Sequence, residues 1–206
     1  MTPGSGLWDG IRAGQNGGNT IHRMEPDDTI EMLMARYQRG DFAAASDLID
    51  RVSPQLYRFF AAQSISRHDA DDLLQETWLR IHKVRHTWRP GEPALPWFYA
   101  IARHIRVDHF RKSLRATTGE QKLEAMSASR PVIPAVSDQA EQIAALLAPL
   151  SAAEREVLEM LKVAGMSLEE VAGATSCSVG SVKQKVHRAY KKLRKTLSPG
   201  QKGGRP

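Results

Sequence analysis

Between Pro26 and Leu197 apolar residues recur at spacings of three and four, and no alternation with period two persists anywhere. That pattern predicts an all-α chain without strands. The first helix opens behind Asp27 and Asp28, whose charge suits a helix start, and closes at Gly40. Asp41 caps the second, which carries Phe42, Leu48, Ile49, Val52, Leu56, Phe59 and Phe60. Pro54 lies inside that run and predicts a kink or a break. A third helix runs from about Asp69 to Trp88, with Leu74, Trp78, Ile81, Arg85 and Trp88 as its core stripe. The arginine joins that stripe through its aliphatic stem. Pro90, Gly91, Pro93 and Pro96 then force a loop. The fourth helix, Pro96 to about Arg115, has two apolar lines, Phe98/Ile101/Ile105 and Val107/Phe110/Leu114, so it packs on more than one side.

Residues 116–138 lose the periodicity and read as a linker. Asp138 then caps a helix bearing Ile143, Leu146, Leu147 and Leu150, and Ser151 with Glu154 forms a capping box for the helix of Val157, Leu158 and Leu161. Gly165 ends it. The stretch Ser167 to Lys195 follows as two helices around a polar break: a Ser167/Glu170 capping box, a short helix with Leu168, Val171 and Ala172 inward, and the turn formers Thr175 to Ser178. From Val179 the last helix has the stripe Val179, Val182, Val186, Ala189, Leu193 and Leu197. Its remaining surface holds Lys183, Lys185, Arg188, Lys191, Lys192, Arg194 and Lys195, with no acid. A short helix, a tight turn and a basic helix cemented by one stripe make a helix-turn-helix for the DNA major groove.

Composition narrows the classes. The 206 residues suffice for one domain or two small ones, and a formal net charge of +6 favours a polyanionic partner. A single cysteine, Cys177, excludes a disulfide framework; its place in the turn suits a small buried hydrophobe. No apolar run is long enough to span a bilayer, and no secretory signal core is present, so a cytoplasmic protein without membrane insertion is expected. Residues 1–23 are glycine-rich and aperiodic, an expected disordered extension, and Met24 offers a second place for the chain to start. The tail 199–206 is expected to be disordered as well. His82 and His86 stand four apart on one helix, a zinc-compatible spacing, but nothing nearby completes a tetrahedral set, so no metal and no cofactor is expected. No phosphate loop or nucleophile motif supports an enzyme.

Two separated blocks then carry a likeness. DADDLLQETWLRIHK with PWFYAIARHIRVDHFRK in the first half, and LSAAEREVLEMLKVAGMSLEEVAGATSCSVGSVKQKVHRAYKKLRK in the second, resemble extracytoplasmic-function (group IV) sigma factors of bacterial RNA polymerase. The resemblance spans roughly residues 27–197. It implies two small helical domains, a region 2-like unit over 24–115 and a region 4-like unit over 139–198, the second with the helix-turn-helix. It also implies a non-enzymatic subunit that binds core RNA polymerase, brings it to promoter DNA and promotes initiation, with an anti-sigma factor as a further partner. Ser181, Val182, Lys183, Gln184 and Lys185 stand where the family commonly has Thr-Val-Lys-Ser-Arg. Lysine lacks arginine's planar fork to guanine, so a different −35 preference is implied. Phe98 replaces the usual leucine, and residues 1–23 match nothing in the family.

On that reading Ser181, Lys183, Gln184, Lys185 and Arg188 contact the −35 element, whereas Lys192 and Lys195 bind phosphate without regard to sequence. His86, Arg89, Arg103, Arg106, Arg111 and Lys112 serve the −10 element and its phosphates. The loop from His86 to Pro96 is the candidate site for unstacked bases, with Glu92 as a further polar group. Trp88 and Trp97 at its ends read as core anchors before stacking platforms. Asp72, Gln75, Glu76 and Leu79 form the face that docks core polymerase. The residues alone leave two other readings open, a DNA-binding regulator whose amino-terminal helices sense a ligand or partner and, more distantly, a basic helical adaptor that binds protein only.

Overall fold

A computed structural model describes residues 28–63, 67–116 and 146–197. The expectations for residues 1–23, for the linker beyond Ala116, for the Asp138 cap and for the tail lie outside them. Among the described residues every regular element is helical: α1 (Ile30–Gln38), α2 (Phe42–Ala61), α3 (Arg67–Val84) with a 3₁₀ turn at Arg85–Thr87, α4 (Ala94–Ala116), α5 (Ala152–Lys162), α6 (Leu168–Thr175) and α7 (Val179–Leu197).

Local chemistry sets most boundaries. Thr29 caps α1, and Asp41 accepts the Ala43 and Ala44 N–H groups at the start of α2. Asp41 also pairs with Arg36, which reaches Asp28 on its other side at 2.6 Å. Gly40 between these helices has φ +93°, a backbone that only glycine adopts without strain. Both predicted capping boxes are present, Ser151/Glu154 on α5 and Ser167/Glu170 on α6.

Pro54 does not break α2, which runs through it for 20 residues. Seven buried residues, from Ala44 to Phe60, hold the helix on the core, and the proline sits on the exposed side. The core stripe of α3 also differs from the expected one. Ala70, Leu73, Thr77, Trp78 and Ile81 are buried, while Leu74 and Arg85 are only half-buried. Thr77 can be buried because its hydroxyl donates to the Leu73 carbonyl at 2.7 Å. On α4 the first apolar line is confirmed by buried Phe98 and Ile105. The second fails at Phe110, which is 48% exposed.

The first four helices share one aromatic core. Phe59 lies between Phe60 and Tyr99, with ring centroids 5.5 and 5.3 Å away, and Trp78 packs 5.9 Å from Phe98. Polar anchors fix the loop that precedes α4. The Gln38 amide donates to the Arg85 and Trp88 carbonyls, Glu31 accepts the Ala94 N–H, and Tyr37 meets His82 Nδ1 at 2.6 Å. The last three helices pack on one another around Val157, Met160, Val171 and Val182.

Phe59→Ala removes a fully buried ring and is expected to destabilise the protein by about 3–5 kcal/mol. Phe42→Ala removes a ring that is 61% exposed and should change stability by no more than about 0.5 kcal/mol. Urea unfolding followed by circular dichroism separates the two.

Candidate nucleic-acid interface

The helix-turn-helix is built by its caps. At the end of α6, Ser176 adopts a left-handed conformation (φ 53°, ψ 40°). Its N–H donates to the Gly173 carbonyl and that of Cys177 to Ala172, the bond pair that closes a helix and reverses the chain. Ser178 then accepts the Ser181 N–H at 3.2 Å and starts α7. Val182 and Ala189 are buried, with Val179, Val186 and Leu193 half-buried beside them. That pins one face of α7 and turns Lys183, Gln184, His187, Arg188, Lys191, Arg194 and Lys195 outward. Leu197 falls off the stripe at 69% exposed.

Two lysines of α7 have partners within the fold. Lys185 is half-buried, with its Nζ 3.2 Å from Cys177 Sγ in the turn. Cys177 is accordingly a half-buried polar partner as well as packing material; the Lys185 ammonium holds its thiol below the ordinary range. Lys192 lies 2.6 Å from Glu154 Oε2 and ties α7 to the capping box of α5. Burial raises the Glu154 carboxyl, but Lys192 and the Ser151 N–H outweigh it, and the net shift is downward. Conversely His187 stands on the outward face, where it shares a surface hollow of about 290 Å³ with Tyr190, Lys191 and Arg194. A helical wheel places it there, but a histidine among seven draws no notice without that geometry.

The second basic surface is α4 and the loop before it. His86 and Arg89 are exposed at the loop, and Arg111 and Lys112 are exposed near the end of the helix. Arg103 and Arg106 are not free. Glu156 of α5 presents Oε1 to both, 3.1 Å from Arg103 Nε as an ion pair without hydrogen-bond alignment, and 3.3 Å from Arg106 Nη2, which donates to it. Arg106 also lies 6.0 Å over the Phe59 ring. Helix α6 packs along α4 at the same place. Between them lies a cleft of about 530 Å³, with Arg89, Trp97 and Ala100 on one wall and Glu169, Glu170 and Gly173 on the other. Trp88 is 3% exposed and acts as a core anchor, whereas half-buried Trp97 faces the cleft.

The third surface is on α3. Asp72, Glu76 and Leu79 are exposed and Gln75 is half-buried, all on one side of the helix. Asp72 lies 3.6 Å from His68. Next to this face a groove of about 610 Å³ runs between α3 and α4, with Glu76, Leu79 and Lys83 on one side and Trp97, His104 and Asp108 on the other. Among the described residues, no group of three or more histidine, cysteine, aspartate or glutamate side chains is placed to hold a metal ion. No helix there is long and apolar enough to cross a membrane.

Comparison with known proteins gives the following. The model for sigma-70 region 2 matches residues 34–116, and that for sigma-70, region 4 matches residues 140–193. The chain is 30% identical over 172 residues to the ECF RNA polymerase sigma factor SigF of Caulobacter vibrioides, covering 82% of this chain and 94% of that protein. It is 30% identical over 166 residues to the RNA polymerase sigma factor CarQ of Myxococcus xanthus, covering 80% and 95%. Among solved structures it superposes on CnrH in complex with the cytosolic domain of CnrY (TM-score 0.64, 24% identity, 84% of this chain and 100% of that one). It also superposes on the sigma factor RpoE in complex with the anti-sigma factor NepR from Bartonella quintana (TM-score 0.61, 24% identity, 74% and 95%). At these identities the two structures speak to the fold.

Two outcomes follow for α7. Gln184→Ala or Arg188→Ala should reduce binding to a selected duplex by about 1–3 kcal/mol and relax preference at one position, while Lys195→Ala weakens binding to all duplexes alike. Lys185→Ala should leave base preference unchanged; competition binding with randomised duplexes reads all of these. Lys192→Ala should act on stability. Glu154 is held below its unfolded value, so its contribution is present above about pH 4.3 and fades as pH falls through the lower folded value. Removing Lys192 should flatten that acid limb in pH-dependent unfolding.

Proposed function

The chain belongs to the extracytoplasmic-function sigma factors of RNA polymerase, and from that premise we propose that it works through the three surfaces described above. It is an alternative sigma factor: it binds core RNA polymerase, directs it to promoters and promotes initiation. Helix α7 reads the −35 element through Gln184, His187 and Arg188, with Ser181 at its first turn and Lys183, Lys191 and Lys195 on phosphate. Lys185 supports the turn through Cys177. Helix α4 and its loop serve the −10 element. Arg103, Arg106, Arg111 and Lys112 neutralise phosphate, His86 and Arg89 guard the loop mouth, and Trp97 offers a stacking face to an unpaired base. Residues 24–115 and 139–198 act as separate region 2 and region 4 units joined by the 116–138 linker.

One observation carries the reading. An acid-free recognition helix and a second basic helix bordering a tryptophan-lined cleft occur in the same chain, which a duplex reader alone does not need. A plain regulator with a sensing domain leaves the second surface without a task. Sigma factors are initiation factors, and the bond-making chemistry belongs to the polymerase; the chain itself is read as non-catalytic. Its place of work is that of the polymerase, the cytoplasm. An anti-sigma factor is proposed as a regulatory partner, since the relatives of like fold were captured with CnrY and NepR.

Core polymerase docks on Asp72, Gln75, Glu76 and Leu79. Asp72→Arg with Glu76→Arg changes two exposed side chains, so the fold should survive, exposed charges contributing only ~0–1 kcal/mol each. Like charges brought together in an interface cost several kcal/mol. The double variant should therefore keep its helical signal, fail to co-elute with core polymerase and fail in run-off transcription. A folded variant that still co-elutes and initiates removes this face from the docking assignment.

A further inference from the structure

The turn that opens the loop before α4 is held by a side chain far from it in sequence. Gln38 ends α1, and its amide nitrogen lies 2.6 Å from the Arg85 carbonyl and 2.7 Å from that of Trp88, 47 and 50 residues away. Both neighbours are acceptors, so only the amino end of the amide fits, with one proton for each. Those two carbonyls are the ends of the 3₁₀ turn. Arg85 opens it, and Trp88, already extended at φ −71° and ψ 136°, leaves it. The Arg85 carbonyl also receives the Trp88 N–H at 3.2 Å. One side chain of α1 therefore clamps the turn at both ends.

What the clamped turn carries is the outward part of the loop. His86 and Thr87, between the two held carbonyls, are both exposed. Thr87 and Trp97 line the cleft of about 530 Å³ and also the groove of about 610 Å³, so they form the ridge between the two. The Thr87 hydroxyl is spent on the Val84 carbonyl at 2.8 Å, which fixes that side chain as well. The Trp88 indole is held in the core while its carbonyl is held by α1. We propose that Gln38 is a positioning residue for promoter selection. By fixing the Arg85 and Trp88 carbonyls it sets the angle at which His86 and Thr87 meet an unstacked base, and so governs base preference at −10 with its own amide occupied inside the fold. This rests on the reading of the loop as the −10 site.

The fold does not need this clamp to hold α1. Leu33, Met34 and Tyr37 bury that helix, and Arg36 ties it between Asp28 and Asp41. Gln38 itself is half-buried, so water can take the two carbonyls when the amide is removed. The loss is then local: a turn that samples several geometries in place of one. Base discrimination is sensitive to such a change, because hydrogen bonds weaken steeply as donor and acceptor lose alignment. Phosphate contacts from Arg111 and Lys112 carry no base information and start from another part of α4. Loss of the clamp therefore acts on sequence preference at the loop and leaves phosphate binding in place.

Two variants of the full chain separate a clamp from mere filling. Gln38→Met keeps the length of the side chain and removes both donors. Gln38→Lys gives up the amide but brings three donors, enough for both carbonyls. Its added charge raises affinity for every sequence alike, so it drops out of a preference ratio. Amide hydrogen exchange reads the clamp itself. In Gln38→Met the Trp88 amide should exchange at least about tenfold faster, with the buried parts of α2 and α3 unchanged. Gln38→Lys should restore slow exchange there. Faster exchange spread evenly over the first four helices would make Gln38 a support of the fold and overturn the assignment.

The functional arm pairs parent and variants with core RNA polymerase on sheared genomic DNA of the source organism. Transcript 5′ ends are sequenced, and the −35 and −10 elements upstream of them are aligned. In Gln38→Met the favoured bases at −10 should lose at least about fivefold of their preference, on the scale of one mismatched base pair. The −35 preference should stay as in the parent, and Gln38→Lys should recover the −10 preference. An unchanged −10 preference in Gln38→Met overturns the positioning role and leaves the sigma reading intact. Equal losses at both elements also overturn it, since a clamp on this loop has no route to −35. A parent chain that initiates nowhere with core polymerase retires the sigma reading, and the role of Gln38 falls with it.

Discussion

Helix α4 has two sides to satisfy, and that double demand shapes everything around it. Phe98, Ala102 and Ile105 are committed to the aromatic core, where Phe98 meets Trp78 and the neighbouring Tyr99 meets Phe59. With the helix phase fixed by those rings, Arg103 and Arg106 must project on the adjacent side. They cannot be rotated away without unpacking the core. Whatever lies against that side must therefore bring negative charge, either phosphate from a nucleic acid or carboxylate from the protein. The loop anchors at Glu31, Gln38 and Tyr37 belong to the same constraint, since they set where α4 begins and how the Trp97 wall of the cleft is held.

The helix-turn-helix was almost wholly legible in the sequence because its determinants are local. Ser167 with Glu170, Ser151 with Glu154 and Ser178 before α7 each act within three residues, and all three caps are made as the pattern predicts. The all-helical architecture was legible for the same reason. Pro54 shows where local rules lose. Its helix-breaking tendency is real, but seven buried neighbours on one face outweigh a single missing hydrogen bond on the wet side. Thr77 shows the opposite error, a polar residue in the core made acceptable by a bond within its own helix.

What the sequence could not disclose depends on partners far along the chain. Glu156 follows Arg106 by 50 residues, and nothing in EREVLEM marks its second glutamate as buried. The same holds for Lys192 on Glu154, 38 residues away. A charge run states how much positive potential a helix carries. It does not state which members are spent within the fold, and that division decides which side chains are left for a ligand.

The contact between the two halves combines one continuous apolar cluster with a charged seam at Arg155, Glu156 and Glu159. Apolar residues of similar volume in place of Arg155, Glu156 and Glu159 would pack as well and, by the usual balance for buried ion pairs, hold as firmly or more so. Such a seam would keep the halves together and leave a large apolar patch in water whenever they parted. Charged residues reverse both terms. Closed, they are desolvated and imperfectly paired, which is why Arg155 and Glu159 are each displaced towards neutrality. Open, they are ordinary hydrated surface. Arg103 and Arg106 are held in this seam by a carboxylate, Glu156, at 3.1 and 3.3 Å.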